Sequence, residues 1–142
     1  MSEPPTELPE AEVRAIKERF HRDVAAVTRA DTENLLSRET ELRQRAETVP
    51  GTWQMLGRQV LLLTDMLKDW YKGVYPLPWR SVAAVTTALL YFLNPFDIVP
   101  DVIPGVGLLD DVMVLAICMR LIKNDLRTYV QTKGLCLDDY GL

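Results

Sequence analysis

From Ser81 to Met119 the chain carries no Lys, Arg, Glu or His, and its only charges are Asp97, Asp101, Asp110 and Asp111. Few folds can accept such a stretch. Val82-Ala83-Ala84-Val85-Thr86-Thr87-Ala88-Leu89-Leu90-Tyr91-Phe92-Leu93 is apolar nearly all round and predicts a helix from Pro78, suited to a first helical turn, to Leu93. A further helix is expected from about Leu109 to Val130, apolar all round through Met119 and then amphipathic through Leu121, Ile122, Leu126 and Val130. Helices without a polar face are buried on every side, in a protein core or in lipid.

The rest of the chain supplies amphipathic partners. Between Glu10 and Glu47 there is no Pro or Gly, and Val13, Ile16, Phe20, Val24 and Val27 recur at spacings of three and four. This predicts one long charged N-terminal helix, residues 10–50 with its connection. Its apolar stripe thins to Leu35, Leu36 and Leu42, as in a solvated helix or an arm that seeks a partner. Pro50-Gly51 breaks the chain, and Thr52 can cap the next helix. There Trp53, Leu56, Val60, Leu63, Leu67 and Trp70 form a continuous seam to about Lys72, closed by Gly73. The seam fits packing against other helices, within this chain or in a homo-oligomer.

The expected architecture is all-α: a small helical bundle with an apolar hairpin interrupted by a Pro/Asp/Gly-rich turn, preceded by the charged helix. Residues 1–9, with Pro4, Pro5 and Pro9 among acidic residues, read as a disordered tail, and residues 134–142 as a C-terminal tail.

The interrupting turn is Asn94-Pro95-Phe96-Asp97-Ile98-Val99-Pro100-Asp101-Val102-Ile103-Pro104-Gly105-Val106-Gly107-Leu108-Leu109-Asp110-Asp111. Asn94 suits an N-cap, Pro95 the first helical position, and Asp97 the positive end of a short helical turn. Pro100 and Pro104 bias Val99 and Ile103 towards extended backbone, Gly105 and Gly107 permit a tight re-entry, and Asp110 or Asp111 can serve the amide end of the next helix. Each aspartate thus has a structural role to fill. The alternative is that Asp97, Asp101, Asp110 and Asp111 converge into an oxygen-only site for Mg²⁺ or Ca²⁺.

This string of fixed Pro, Gly and Asp positions resembles the signature of the YkvA-like family, a domain of unknown function. The resemblance runs from about Leu77 to Leu121 within a helical domain spanning 51–133. Asn94 departs from it, standing where the family often has Ser; both residues cap helices. The resemblance implies a short helical domain, often predicted to associate with membranes, with no established activity. It implies nothing about the charged N-terminal segment.

Charge placement bears on the choice between lipid and core. Lys68, Lys72 and Arg80 precede the uncharged stretch and Arg120, Lys123, Arg127 and Lys133 follow it, as the positive-inside rule requires of a hairpin with a cytoplasmic base. Trp70, Tyr71, Tyr75 and Trp79 stand where an interfacial aromatic belt would lie. Length opposes spanning, because Pro78 to Leu93 rises about 24 Å against a hydrocarbon layer of roughly 30 Å. The expectation is a membrane-associated protein containing a transmembrane helix or a hairpin dipping into one leaflet, with membrane lipid as partner and both termini cytoplasmic. The alternative is a cytoplasmic helical module that self-associates through the Trp53 to Trp70 seam. The N-terminus lacks the basic and apolar regions of a secretory signal.

Enzyme classes are mostly excluded. His21 is the only histidine, which removes sites needing two, including HExxH zinc sites. Ser2, Ser37 and Ser81 have no histidine or strand-turn context, and there is no phosphate-binding loop; Gly105-Val106-Gly107 is too short for a dinucleotide motif. Cys118 and Cys136 form no CxxC and read as reduced thiols. A net charge of −4 without a basic cluster speaks against nucleic acid. No catalytic residue and no cofactor is expected beyond metal-assisted chemistry at the aspartates.

Overall fold

The computed structural model describes residues 10–49, 51–93 and 106–142, the side chains of Thr52 and 106–111 excepted. Among these residues every regular element is helical: α1 Glu10–Ala26, α2 Arg29–Ser37, α3 Glu39–Glu47, α4 Gln54–Tyr71, α5 Trp79–Leu93, α6 Val106–Leu121 and α7 Lys123–Thr132, with short 3₁₀ turns at Gly51–Trp53 and Leu137–Tyr140. The all-α expectation is met.

The long N-terminal helix is instead three helices. Thr28 is extended (φ −116°, ψ 168°) and caps α2: its hydroxyl accepts from the Asp31 amide at 3.3 Å, while the Asp31 carboxylate accepts from the Thr28 amide at 2.9 Å. That reciprocal box makes a fresh helix start cheaper than continuing α1. Arg38 (φ −104°, ψ 23°) ends α2 and begins α3. The two breaks let the sparse apolar residues turn inward, and Ile16, Phe20, Leu35, Leu42 and Ala46 are buried. The segment is therefore a wall of the bundle, not an arm.

α5 is the axis. Twelve of its fifteen residues are buried, and α1, α2, α3, α4 and α6 all pack on it. Its lack of a polar face is satisfied by protein on all sides. Thr32 of α2 and Thr86 of α5 hydrogen-bond at 2.8 Å inside this core, each satisfying the other. The Trp53 to Trp70 seam is spent the same way: Leu56, Val60, Leu63 and Leu67 are buried within the chain, and Trp53 and Trp70 pack against the core from its edge. Close packing of α3 on α4 needs Gly57, where a Cβ would lie 2.5 Å from the carbonyl oxygen of Ala46.

The described residues do not bear out the expected transmembrane helix. Among the described residues no helix is long and apolar enough to cross a membrane. The helix expected over Leu109 to Val130 begins earlier, at Val106, and is broken at Ile122 (φ −108°, ψ 19°) into α6 and α7. Nor do residues 134–142 form a loose tail. Leu137, Tyr140 and Leu142 pack on the core, and Gln59 Nε2 of α4 donates to the Tyr140 carbonyl at 3.0 Å.

Candidate functional site

Between α4 and α5 the chain makes a rigid elbow. Gly73 adopts φ +76°, its amide bonds the Trp70 carbonyl at 3.0 Å and the Val74 amide bonds the Asp69 carbonyl at 2.9 Å. This pair of bonds is a Schellman close, available to glycine without strain. Pro76 and Pro78 then fix the backbone, and the Pro78 carbonyl accepts from the Ser81 and Val82 amides to start α5.

The inner side of the elbow is pinned. Tyr129 of α7 donates to Asp69 at 2.7 Å, Lys133 pairs with Asp69 at 2.9 Å, and Ser81 donates to Asp125 at 2.5 Å. Burial alone would raise the Asp69 carboxyl, but hydrogen bonds from Lys133 and Tyr129 outweigh it and hold it below its usual value. The Tyr129 hydroxyl is pushed well up, by burial first and then by the neighbouring Asp69. Tyr75 also turns inward, edge-on to Tyr129 with ring centroids 5.0 Å apart.

The outer side is different in kind. Tyr71, Val74 and Trp79 are 41%, 64% and 43% exposed, although a Tyr, a Val and a Trp would each gain from burial. Trp79 lies 6.2 Å from Trp70, and the Arg29 guanidinium of α2 sits over Trp70 and Tyr71 at 5.2 and 5.4 Å. Lys72 and Arg80 flank this surface and are exposed. Large aromatic and aliphatic groups held outward beside cations suit an amphipathic interface with anionic headgroups.

All four aromatics expected at an interface lie at this elbow, but of them Tyr71 and Trp79 are exposed, while Trp70 packs against the core and Tyr75 against Tyr129. Two expected basic flanks are otherwise engaged, Lys68 with Glu39 at 3.1 Å and Lys133 with Asp69. Sequence reasoning missed Arg29 and Val74: the first comes from a distant helix, and the second is a lone apolar residue in a turn.

The aspartates stand differently. Asp97 and Asp101 lie outside the described residues. Asp110 and Asp111 fall in the second turn of α6, since that helix starts at Val106, so neither is at its N-cap; their side chains are outside the described set. Among the described residues no group of three or more His, Cys, Asp or Glu could hold a metal.

Residues 81–117 match the family model of a protein of unknown function (DUF1232), inside the 77–121 stretch whose Pro, Gly and Asp pattern carries the resemblance. The chain is 45% identical over 66 residues to a protein of Bacillus subtilis (strain 168) named "Uncharacterized membrane protein YkvA"; the aligned part is 46% of this chain and 62% of that protein. The chain thus spans less than two thirds of that relative's length. No solved structure matches it.

Proposed function

We propose that the protein is a non-catalytic membrane-surface protein that rests on an anionic bilayer through the α4–α5 elbow. The observation that carries this reading is the exposed Tyr71, Val74 and Trp79 set between Lys72 and Arg80 on a backbone fixed by Gly73. Aromatic rings settle at headgroup depth, and each basic residue near an anionic surface adds about 1 kcal/mol. The similarity to a protein named as a membrane protein supports the same reading. The apolar α5 does not, since the bundle core explains it.

Sedimentation with phosphatidylglycerol and phosphatidylcholine vesicles is the test. Wild type is expected to pellet with the anionic vesicles, less so at high salt, and to stay in solution with the zwitterionic ones. Val74→Asp, Trp79→Ala and the pair Lys72→Glu, Arg80→Glu should each weaken pelleting, the first and last with an unchanged melting temperature and Trp79→Ala with a small fall from its lost contact with Trp70. Equal pelleting of wild type and all these variants, or none for wild type, would rule the elbow out.

A further inference from the structure

A second feature lies away from the elbow, against the N-terminal half of α4. It is an open groove of about 510 Å³ between α4, α6 and the start of α7. That volume falls within the roughly 300 to 1,000 Å³ of small-ligand sites. Its floor is apolar: Leu56 from α4, with Val112, Ala116 and Met119 from one face of α6. Trp53, Gly141 and Leu142 also line it, and Arg120, Lys123 and Arg127 supply its cations.

Charge is graded along the groove. Val112 and Arg120 are eight residues apart on one helix, about 12 Å, so the apolar trough leads into the cationic end. No Asp or Glu lines the groove among the described side chains, and none of the three cations forms an ion pair there. The amide side chain in the lining, Gln59, already donates to the Tyr140 carbonyl, and the Trp53 indole offers a single N–H. A sugar or nucleotide base would therefore find few neutral hydrogen-bonding partners. Arginine pairs instead match phosphate or carboxylate oxygens bidentately. Met55 and Met119 give the walls a flexible, polarizable lining that adapts to a mobile chain.

We propose that this groove binds one anionic single-chain amphiphile, its acyl chain over Leu56, Val112 and Ala116 and its phosphate or carboxylate head between Arg120, Lys123 and Arg127. The site rests on its own lining and not on the elbow.

Calorimetric titration of the full chain with dodecyl phosphate, below its micelle-forming concentration, tests this. Dodecanol and inorganic phosphate serve as half-probes, and dodecanoate replaces the head. Dodecyl phosphate should bind one to one, with dodecanoate comparable and each half-probe at least about tenfold weaker. Arg127→Glu, Lys123→Glu and Ala116→Phe should each weaken binding about tenfold or more, from lost charge or a filled trough. Lys123 and Ala116 are exposed, so these two changes keep the fold, checked by thermal melts. Trp79→Ala should leave this titration unchanged, and Ala116→Phe should leave vesicle pelleting unchanged, so failure of either site shows separately. Inorganic phosphate binding as tightly as dodecyl phosphate would reduce the groove to an anion site and overturn the proposal. Wild-type affinity in Lys123→Glu and Ala116→Phe would do the same, as would a dimer that Ala116→Phe dissociates.

Discussion

Tyr129 of α7 donates its hydroxyl hydrogen to Asp69 of α4 across 2.7 Å, tying the last helix to the turn that opens the elbow. Tyr129 is only 2% exposed, and Asp69 also accepts from Lys133. Removing the hydroxyl in Tyr129→Phe should cost about 1.5 to 3 kcal/mol, towards the lower end because Lys133 stays to satisfy the carboxylate. The raised folded-state pKa adds a pH signature. Its stabilisation is complete below the ordinary value of 10.0 and is lost as pH rises above it, since the unfolded chain then releases a proton the folded one keeps. Chemical denaturation from pH 8 to 11 should show a steeper loss in wild type than in Tyr129→Phe.

Thr32 and Thr86 form a closed pair between α2 and α5, with no exposure at either residue. Thr86→Val alone strands the Thr32 hydroxyl, at about 1 to 3 kcal/mol. Changing both to Val removes the orphan, so the double variant should be less destabilised than the sum of the singles by at least about 0.5 kcal/mol. Additive losses would show that the hydroxyls do not interact.

Gly57→Ala should destabilise the bundle although alanine is the better helix former. The added methyl would meet the Ala46 carbonyl oxygen at 2.5 Å and Val49 Cγ2 at 3.2 Å, and backbone can yield only by parting α3 from α4. Overpacking of this kind costs about 1 to 3 kcal/mol, against roughly 0.8 to 1 kcal/mol gained in propensity. Gly51→Ala meets nothing within 4 Å and serves as the control in urea melts.

The core was readable where pattern and length agreed. The alternating spacing from Leu56 to Leu67 and the run from Val82 to Leu93, apolar but for Thr86 and Thr87, each specify one helix and its burial. The breaks at Thr28, Arg38 and Ile122 were harder, because no Pro or Gly marks them; Thr28-Arg29-Ala30-Asp31 holds the one local sign, a threonine three residues before an acid. Docking of Leu137, Tyr140 and Leu142 depends on where α7 leaves the chain, which no local pattern states. The uncharged stretch had two physical solutions, lipid or core, and periodicity alone does not separate them. For α5, the packing of α1, α2, α3, α4 and α6 around it accounts for the buried faces. At the elbow, aromatic content was visible in the sequence, but the inward turn of Tyr75 and the arrival of Arg29 are tertiary.

Acid should loosen the bundle through two carboxylates. Glu39 accepts from Arg43 at 2.7 Å and from Lys68 at 3.1 Å, joining α3 to α4, and the Arg43 hydrogen bond is the main cause that holds its carboxyl below the ordinary 4.5. Asp69, held below 3.8, joins α4 to α7. A depressed folded pKa means the unfolded chain takes up the proton first, so the stabilisation is full above the ordinary value and is lost as pH falls through the folded one. Melting temperatures from pH 7 to 2.5 should therefore fall more steeply for wild type than for Glu39→Gln or Asp69→Asn. Both variants should start lower at pH 7, where their partners have lost a charge-assisted bond, and approach wild type at the acid end, where its carboxylates are also neutral. Curves that stay parallel throughout would show that these ion pairs do not govern the acid limb.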